Sequence, residues 1–274
     1  MGQREQDWRR LVASLLARVR LAGAAFGVYE RWQAYRAGAL PSVGGDGLPV
    51  PPALLQIRVA GSASVGFVQE GRDAAASIRT LLARAAIDLE QLETVLDFGG
   101  GCGRIARHWA ALHGPEFYAC DIDAAAVAWC RRNLAFVNTA VNQLEPPLPY
   151  VSESFDLVYA YSVFTHLPER AQRPWIEELS RVIRPGGFLL VTTHGDATLE
   201  RIVEPELRAR YQRGELAVRF ARDAGSNLCS AYHPPAFVRG LLAPAFECMG
   251  AQHGGMPGFG IQDAYLARKV IRPS

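Results

Sequence analysis

The sequence contains little lysine, no paired cysteines and almost no net charge. Among its 29 lysines and arginines, Lys269 is the only lysine, so lysine chemistry is excluded from almost every position. The five cysteines form no CxxC pair, which argues against a metal site or a disulfide framework and favours a reducing compartment. The formal net charge is +2, so no strong field favours binding to nucleic acid or to an acidic membrane.

Long hydrophobic runs are also missing. No stretch of about 18 consecutive apolar residues occurs, so no transmembrane helix is expected. Arg18 and Arg20 interrupt the apolar stretch near the N-terminus, which argues against a secretory signal and makes a cytoplasmic location the expectation. With 274 residues, the chain is long enough for one large α/β domain or two small ones.

Residues 1–70 are predicted to form an N-terminal helical extension and a linker. Apolar residues recur at helical spacing from Trp8 to Phe26, which predicts an amphipathic helix that packs on the domain or covers its active site. Because arginines lie mostly on the other face, contact with a membrane surface is the alternative. The Gly/Pro-rich stretch over 39–52 indicates a linker or loop.

Residues 71–274 are predicted to form the main domain, in which strands and helices alternate. The predicted strands cover 94–99, 117–123, 136–142, 155–164 and 188–195. The predicted helices cover 73–91, about 103–113, 124–134 and about 170–182. This alternation predicts an α/β fold with a doubly wound, mostly parallel sheet.

Three further segments complete the predicted domain. The Pro-Gly-Gly sequence at 185–187 predicts a turn before the fifth strand. Residues 196–245 are irregular and partly helical, and we expect this insertion to cover the substrate. The stretch over 246–270 predicts two strands in a C-terminal antiparallel hairpin.

The stretch VLDFGGGCGR at 95–104 places four glycines between a strand and the following segment. Glycine allows a sharp turn and leaves no side chain between the main chain and a ligand. Asp121 ends the next predicted strand, where a carboxylate can accept hydrogen bonds from both hydroxyls of a ribose. Together these features predict a nucleoside or nucleotide cofactor.

A dinucleotide is one candidate for that cofactor. The sequence GCGRIA at 101–106 fits the pattern GxGxxG/A, with Asp121 placed as NAD requires, so an NAD(P)-dependent oxidoreductase is the alternative function. Tyr265 and Lys269 also match the YxxxK pattern of short-chain dehydrogenases. They fall in a predicted strand, where residues four apart lie about 13 Å from each other, whereas that pair needs a helix.

Four motifs occur in order along the chain: VLDFGGGCGR (95–104), CDID (120–123), LPYVSESFDLVYAYSVFTHL (148–167) and ELSRVIRPGGFLLVTTHG (178–195). This series resembles the class I S-adenosylmethionine (SAM)-dependent methyltransferases over roughly residues 75–270. It is most similar to bacterial members with VFTHLPE followed by RPGG. The resemblance implies a seven-stranded Rossmann-like fold and SAM as the cofactor. Because the sulfonium of SAM already carries a positive charge, we expect methyl transfer to need no metal.

The resemblance also assigns roles within the glycine turn. Asp97 matches the acid that helps hold the amino-acid end of SAM. Gly99, Gly101 and Gly103 match the glycines that pass along the methionine and ribose portions.

Further positions match cofactor contacts beyond the glycine turn. Asp121 matches the acid that binds the ribose hydroxyls, and Ile122 would lie against the adenine. Asn142 stands where the family often has aspartate, but its amide oxygen could still accept a hydrogen bond from the adenine amino group. Residues Tyr159 to Ser162 would lie at the end of the fourth strand, beside the cofactor.

Histidines are the candidate general bases for methyl transfer. His166 follows the fourth strand and His194 ends the fifth, at the strand edge where ligands bind in such sheets. His233 in the covering insertion is a third candidate, although positioning alone drives many of these reactions.

The expected methyl acceptor is a hydroxyl or an amine of a small metabolite or a glycan. A non-catalytic SAM-binding module, or one associated with RNA, is a further alternative, although the near-neutral charge argues against RNA. The sequence predicts no oligomeric state.

Overall fold

The computed structural model describes residues 22–271. Most of the predicted amphipathic helix falls on residues 1–21, outside the described residues, and only its end at Phe26 lies in a described helix. Three helices precede the sheet: α1 (Ala22–Arg36), α2 (Ala53–Ala60) and α3 (Phe67–Arg84). Among residues 22–271, no helix combines the length and the apolar character needed to cross a membrane.

The remaining helices flank the strands or follow them. They are α4 (Ala124–Asn133), α5 (Glu169–Val182), α6 (Pro205–Gln212) and α7 (Pro235–Leu242). The strands are β1 (Thr94–Phe98), β2 (Glu116–Asp121), β3 (Val137–Val141), β4 (Phe155–Ala160), β5 (Ile183–Thr193), β6 (Ala217–Arg219), β7 (Ser230–Tyr232), β8 (Phe246–Gln252) and β9 (Asp263–Lys269).

Seven of these strands form one sheet in the order β3-β2-β1-β4-β5-β9-β8. Strands β1 to β5 pair in parallel, and β9 is antiparallel to both of its neighbours, so β8 runs in the same direction as the first five. The predicted doubly wound, mostly parallel sheet with a C-terminal antiparallel hairpin is confirmed. As a consequence, the carboxyl ends of β1 to β5 lie along one edge of the sheet.

The core lies on both faces of the sheet because successive residues of a strand point to opposite faces. On one face, Leu96 and Phe98 of β1 pack in a cluster that includes Trp175 of α5. On the other face, Val95 packs in a cluster that includes Ile78 of α3. Burial on both faces explains why the parallel strands are continuous apolar runs in the sequence.

The helix predicted over about 103–113 is wrong, since only a 3-10 turn forms there, at Ala106–Trp109. Arg107 is buried within this turn, where its Nε and Nη2 donate to the Asp46 carboxylate at 2.6 and 2.9 Å. Its Nη2 also donates to the carbonyl of Leu48 at 3.1 Å. An inward-facing arginine contributes nothing to apolar periodicity, so the sequence pattern could not reveal this geometry.

Two strand boundaries also differ from the prediction. Strand β4 ends at Ala160, before the predicted 164, and the chain then bends into a 3-10 turn at Phe164–His166. The turn predicted at 185–187 is wrong, because these residues form an irregularity inside β5. Phe155 and Leu157 of β4 are two residues apart, but their partners in β5, Ile183 and Phe188, are five residues apart. The positive φ of Gly186 (+76°) accommodates the extra residues.

The segment 196–245 is irregular and partly helical, as predicted, but it also contains a small antiparallel ribbon formed by β6 and β7. We call residues 220–229, which connect the two strands of this ribbon, the covering loop. Residues of this loop reach the carboxyl edge of the main sheet.

Candidate active site

The glycine turn follows β1 directly. Gly99, Gly101 and Gly103 have φ values of +78°, +56° and +73°, a region that residues with side chains rarely adopt. A Cβ atom on Gly99 would overlap the side chain of Val163, which follows β4. The turn therefore needs glycine both for its backbone conformation and for close packing.

At Gly101 and Gly103, the space that a side chain would need is occupied by other residues of the protein. A Cβ atom on Gly101 would lie 2.5 Å from Val59 of α2, and one on Gly103 would overlap Leu134 after α4. Their missing side chains thus let α2 and α4 approach the turn.

A cavity of about 380 Å³ lies at the carboxyl edge of the sheet. Five predicted site residues line it: Gly99, Asp121, Ile122, Asn142 and His166. The other six lie outside the lining: Asp97, Gly101, Gly103, Tyr159, His194 and His233. The first group spans the ends of β1, β2 and β3 and the turn after β4, so the structure brings these distant motifs together.

Asp121 is held by the main chain at the end of β2. Its Oδ2 accepts the Gly101 N–H at 2.9 Å, and its Oδ1 accepts the Asp123 N–H at 2.8 Å. Burial raises the pKa of this carboxyl, and the main-chain hydrogen bonds oppose that rise. Because each carboxylate oxygen can accept a further hydrogen bond, the group can receive two hydroxyls from a ligand.

Asn142 presents an unused acceptor to the same cavity. Its Nδ2 donates to the carbonyl of Gln143 at 2.8 Å, and its buried Oδ1 has no partner among residues 22–271. A buried amide oxygen without a donor costs free energy, so the position favours a ligand N–H. Ile122 and Leu144 provide apolar surface in the same part of the cavity. This combination fits the amino group and ring of an adenine.

Asp97 is buried beneath the glycine turn, outside the cavity lining. The Tyr159 hydroxyl accepts the Trp109 Nε1–H at 3.0 Å and makes a hydrogen bond with the Asp97 carboxyl. Burial raises the pKa of Asp97 to about 7, while the bond from Tyr159 opposes the rise. The Asp97 Oδ2 has no partner in the described part of the chain. Tyr159 therefore contacts Asp97 and does not line the cavity.

Replacing Tyr159 with phenylalanine is expected to raise the pKa of Asp97 further and to lower the free energy of unfolding by about 1–3 kcal/mol. The change removes the bond to Asp97 and leaves the buried Trp109 Nε1–H without an acceptor. Denaturant unfolding at pH 6 and pH 8 would measure both effects. Tyr118→Phe is the matched control, because that hydroxyl donates to Glu116 at the surface. Equal losses in the two variants would contradict the role of Tyr159.

Of the three candidate histidines, only His166 lines the cavity. Its Nδ1 donates to the carbonyl of Cys229 in the covering loop at 2.8 Å, and burial lowers its pKa. His194 instead donates from Nδ1 to the Ala231 carbonyl at 3.2 Å, and burial lowers its pKa to about 4. His233 is fully buried, with Nε2 3.3 Å from Gln172 Oε1.

An acidic residue that the sequence analysis missed also lines the cavity. Glu30 of α1 is buried there, and burial raises its pKa. The Arg58 guanidinium lies 3.8 Å from Glu30 and 3.0 Å from Asp123, so it links α1 to the start of α4. No local motif could have revealed this contact, since it depends on how α1 and α2 pack.

Three residues of the covering loop line the cavity: Gly225, Ser226 and Asn227. The Asn227 side-chain amide donates to the carbonyls of Ile57 and Arg58 at 3.0 and 2.8 Å, and the Gly225 N–H donates to the carbonyl of His166 at 2.9 Å. The loop is therefore tied both to the end of α2 and to the segment that follows β4.

Comparison with known proteins agrees with this geometry. Residues 95–187, which contain the glycine turn, Asp121, Asn142 and His166, match the family model described as a methyltransferase domain. Residues 95–187 therefore form a methyltransferase domain. The resemblance predicted from the sequence is thus confirmed.

Curated relatives of this methyltransferase domain include two malonyl-[acyl-carrier protein] O-methyltransferases. The protein from Enterobacter lignolyticus is 32% identical over 152 residues, which are 56% of each chain. The protein from Salmonella typhimurium is 32% identical over 122 residues, which are 44% of this chain and 45% of the relative. The match therefore spans about half the length of these relatives.

Solved structures share the fold of the methyltransferase domain. A SAM-dependent methyltransferase from Methanosarcina mazei aligns with a TM-score of 0.52 at 20% identity, covering 67% of this chain and 95% of that one. The 1,6-didemethyltoxoflavin-N1-methyltransferase of Burkholderia thailandensis, with bound S-adenosylhomocysteine, aligns with a TM-score of 0.52 at 18% identity. That alignment covers 74% of this chain and 79% of the Burkholderia enzyme.

Proposed function

We propose that this protein transfers a methyl group from SAM to a hydroxyl or an amine of a small metabolite or a glycan. The main support is that Asp121 and the unpartnered Oδ1 of Asn142 face one cavity from the ends of neighbouring strands. These two acceptors match the ribose hydroxyls and the adenine amino group of a nucleoside.

The charge of the cavity favours SAM over a nicotinamide dinucleotide. Among the described lining residues, Glu30, Asp121 and Asp123 are acidic, and Arg58 is the one arginine. Arg58 is already engaged by two of these carboxyl groups. Excess negative charge attracts a sulfonium and an ammonium group, whereas it repels the two phosphates of NAD.

When bound, SAM supplies a methyl group activated by the positive charge on sulfur. In the proposed mechanism, Asp121 and Asn142 hold the nucleoside, and the covering loop limits the access of water. His166 is the proposed general base. Its lowered pKa keeps the ring neutral at pH 7, and because Nδ1 donates to Cys229, Nε2 is the atom that accepts a proton. His194 is left out of this mechanism because its side chain lies outside the cavity lining.

An oxygen acceptor has more support than a nitrogen acceptor, since the two malonyl-[acyl-carrier protein] relatives are named as O-methyltransferases. We further propose that residues before 71 and the insertion 196–245 form the acceptor side of the cavity, because Glu30, Arg58 and the covering loop lie there. A cytoplasmic location completes the proposal and agrees with five free cysteines, four of which are buried.

Titration calorimetry with S-adenosylhomocysteine and NADH, run side by side, tests the cofactor. We expect S-adenosylhomocysteine to bind with micromolar affinity and NADH to give no measurable heat of binding. Binding of NADH alone would contradict the proposal and favour an oxidoreductase. An acceptor screen with methyl-labelled SAM then tests turnover, and tight binding without transfer to any acceptor would favour a non-catalytic module.

A further inference from the structure

Ser162 has an unusual backbone conformation at the cavity. It follows β4 and has a φ of +59°, which is uncommon for a residue other than glycine. Ser162 and Val163 both line the cavity, and Val163 packs against Gly99. Such a conformation persists only when the surrounding structure holds it, and it is concentrated at functional sites.

Hydrogen bonds from two neighbouring strands hold Ser162 in place. Its N–H donates to Thr192 Oγ1 of β5 at 2.8 Å, and Thr192 Oγ1 donates to Gln262 Oε1 at 2.7 Å. Gln262 Nε2 then donates to Ser162 Oγ at 2.9 Å, which closes the ring of bonds. Gln262 immediately precedes β9, so the C-terminal hairpin takes part in shaping the cavity wall.

The position of each hydroxyl proton follows from these contacts. Thr165 Oγ1 donates its single proton to the Ser162 carbonyl at 2.7 Å. The 3.0 Å contact between Ser162 Oγ and Thr165 Oγ1 must therefore use the Ser162 proton. Since Ser162 Oγ also accepts from Gln262, it has one lone pair left and no proton to donate. The hydroxyl can act toward a ligand only as an acceptor.

The order of the strands indicates which part of the ligand meets this lone pair. Four residues lie at or just after the carboxyl ends of β3, β2, β1 and β4, which are consecutive in the sheet: Asn142, Asp121, Gly99 and Ser162. With the adenine at Asn142 and the ribose at Asp121, the rest of an extended SAM molecule lies over β1 and β4. The hydrogen-bond donor in that part of SAM is the ammonium of its amino-acid end.

We propose that Ser162 Oγ accepts a hydrogen bond from the ammonium of the cofactor, and that Thr165 and Gln262 are positioning residues that orient its lone pair. This inference rests on the proposed function, since it assumes SAM in the cavity. It makes Ser162 a determinant for ligands that carry the amino-acid end, and it assigns a role to Gln262, a residue outside the 95–187 family match.

Two ligands test the inference, because 5′-methylthioadenosine contains the nucleoside of S-adenosylhomocysteine but lacks the amino-acid end. Ser162→Ala is expected to weaken S-adenosylhomocysteine binding by about tenfold or more, the usual effect of losing a hydrogen bond to a charged group. Binding of 5′-methylthioadenosine should change by less than about twofold in the same calorimetric titrations. The deciding readout is the affinity for S-adenosylhomocysteine divided by the affinity for 5′-methylthioadenosine, which we call the affinity ratio.

Variants of the buried Thr165 test the positioning role independently. Thr165→Val keeps the shape of the side chain but removes the acceptor for the Ser162 proton, so this proton is no longer held away from the ammonium. The affinity ratio should fall in Thr165→Val and should recover in Thr165→Ser, which keeps the hydroxyl. Gln262→Met should lower the ratio as well, because it removes a hydrogen bond that fixes the orientation of Ser162 Oγ.

Each outcome decides the question. A selective loss of S-adenosylhomocysteine binding in Ser162→Ala and Thr165→Val supports the inference. An unchanged ratio, or an equal loss for both ligands, overturns it while leaving the proposed function intact. If the wild-type protein binds neither ligand, the proposed function fails, and the inference fails with it.

Discussion

Replacing Asp121 with asparagine is expected to weaken S-adenosylhomocysteine binding by roughly a hundredfold while the protein stays folded. The carboxylate offers each ribose hydroxyl a charged acceptor, whereas asparagine offers one neutral oxygen and an N–H₂ group. In the wild-type protein the N–H groups of Gly101 and Asp123 both donate to the Asp121 carboxylate. In the variant, the N–H₂ group would face one of these two donors and could not accept its hydrogen bond. Titration calorimetry measures the change in affinity, and thermal unfolding shows whether the variant is folded.

Asp156→Asn is a matched control for Asp121→Asn. Asp156 Oδ2 accepts the N–H groups of Glu93 and Thr94 at 2.8 and 2.9 Å, but at the amino edge of the sheet, opposite the cavity. The control should lower the free energy of unfolding and leave ligand affinity unchanged. If both variants lose affinity to the same extent, Asp121 supports only the fold, and our placement of the ribose is wrong.

Replacing Asp97 with asparagine is expected to stabilise the protein at pH 8 and to weaken its binding of the cofactor. Burial raises the pKa of Asp97 from 3.8 to about 7, so the folded state binds more protons than the unfolded state between these values. The free energy of unfolding therefore falls as pH rises through this window, by on the order of 4 kcal/mol in total. Asparagine carries no charge and removes this cost.

The difference in the free energy of unfolding between Asp97→Asn and the wild-type protein isolates the contribution of Asp97. His194 has a pKa lowered from 6.5 to about 4, so it destabilises the folded protein as pH falls below 6.5, in both forms alike. Denaturant unfolding from pH 5 to pH 8 should show the stability gap widening with pH. A gap that does not depend on pH would contradict the raised pKa. Weaker S-adenosylhomocysteine binding by the more stable variant would show that the buried acid serves ligand binding at the expense of stability.

The sheet and part of the site could be predicted because short stretches of the sequence, such as apolar runs and the glycine turn, indicate them. A parallel strand buried on both faces is a continuous apolar run, and a glycine turn after such a strand limits the topologies available. Asp121 and Asn142 follow consecutive strands, so parallel pairing alone brings them to one edge of the sheet. The cavity contains both, as the spacing predicts.

The remaining site residues could not be predicted because they depend on contacts between distant segments. Glu30 reaches the cavity through the packing of α1, and Asn227 is tied to α2 across 170 positions of the chain. Ser162 Oγ accepts a hydrogen bond from Gln262, which is 100 positions away. Single polar residues of this kind create no periodicity, and their partners become evident only when the chain has folded.

The ion pair between Asp46 and Arg107 has a consequence for how the protein unfolds. Asp46 precedes α2, whereas Arg107 follows β1 and has a side chain with no exposed surface. Separating the two segments would leave a guanidinium charge uncompensated in an apolar interior, which is among the most costly local changes in a protein. We therefore expect the segment around Asp46 and the sheet to unfold in one cooperative transition.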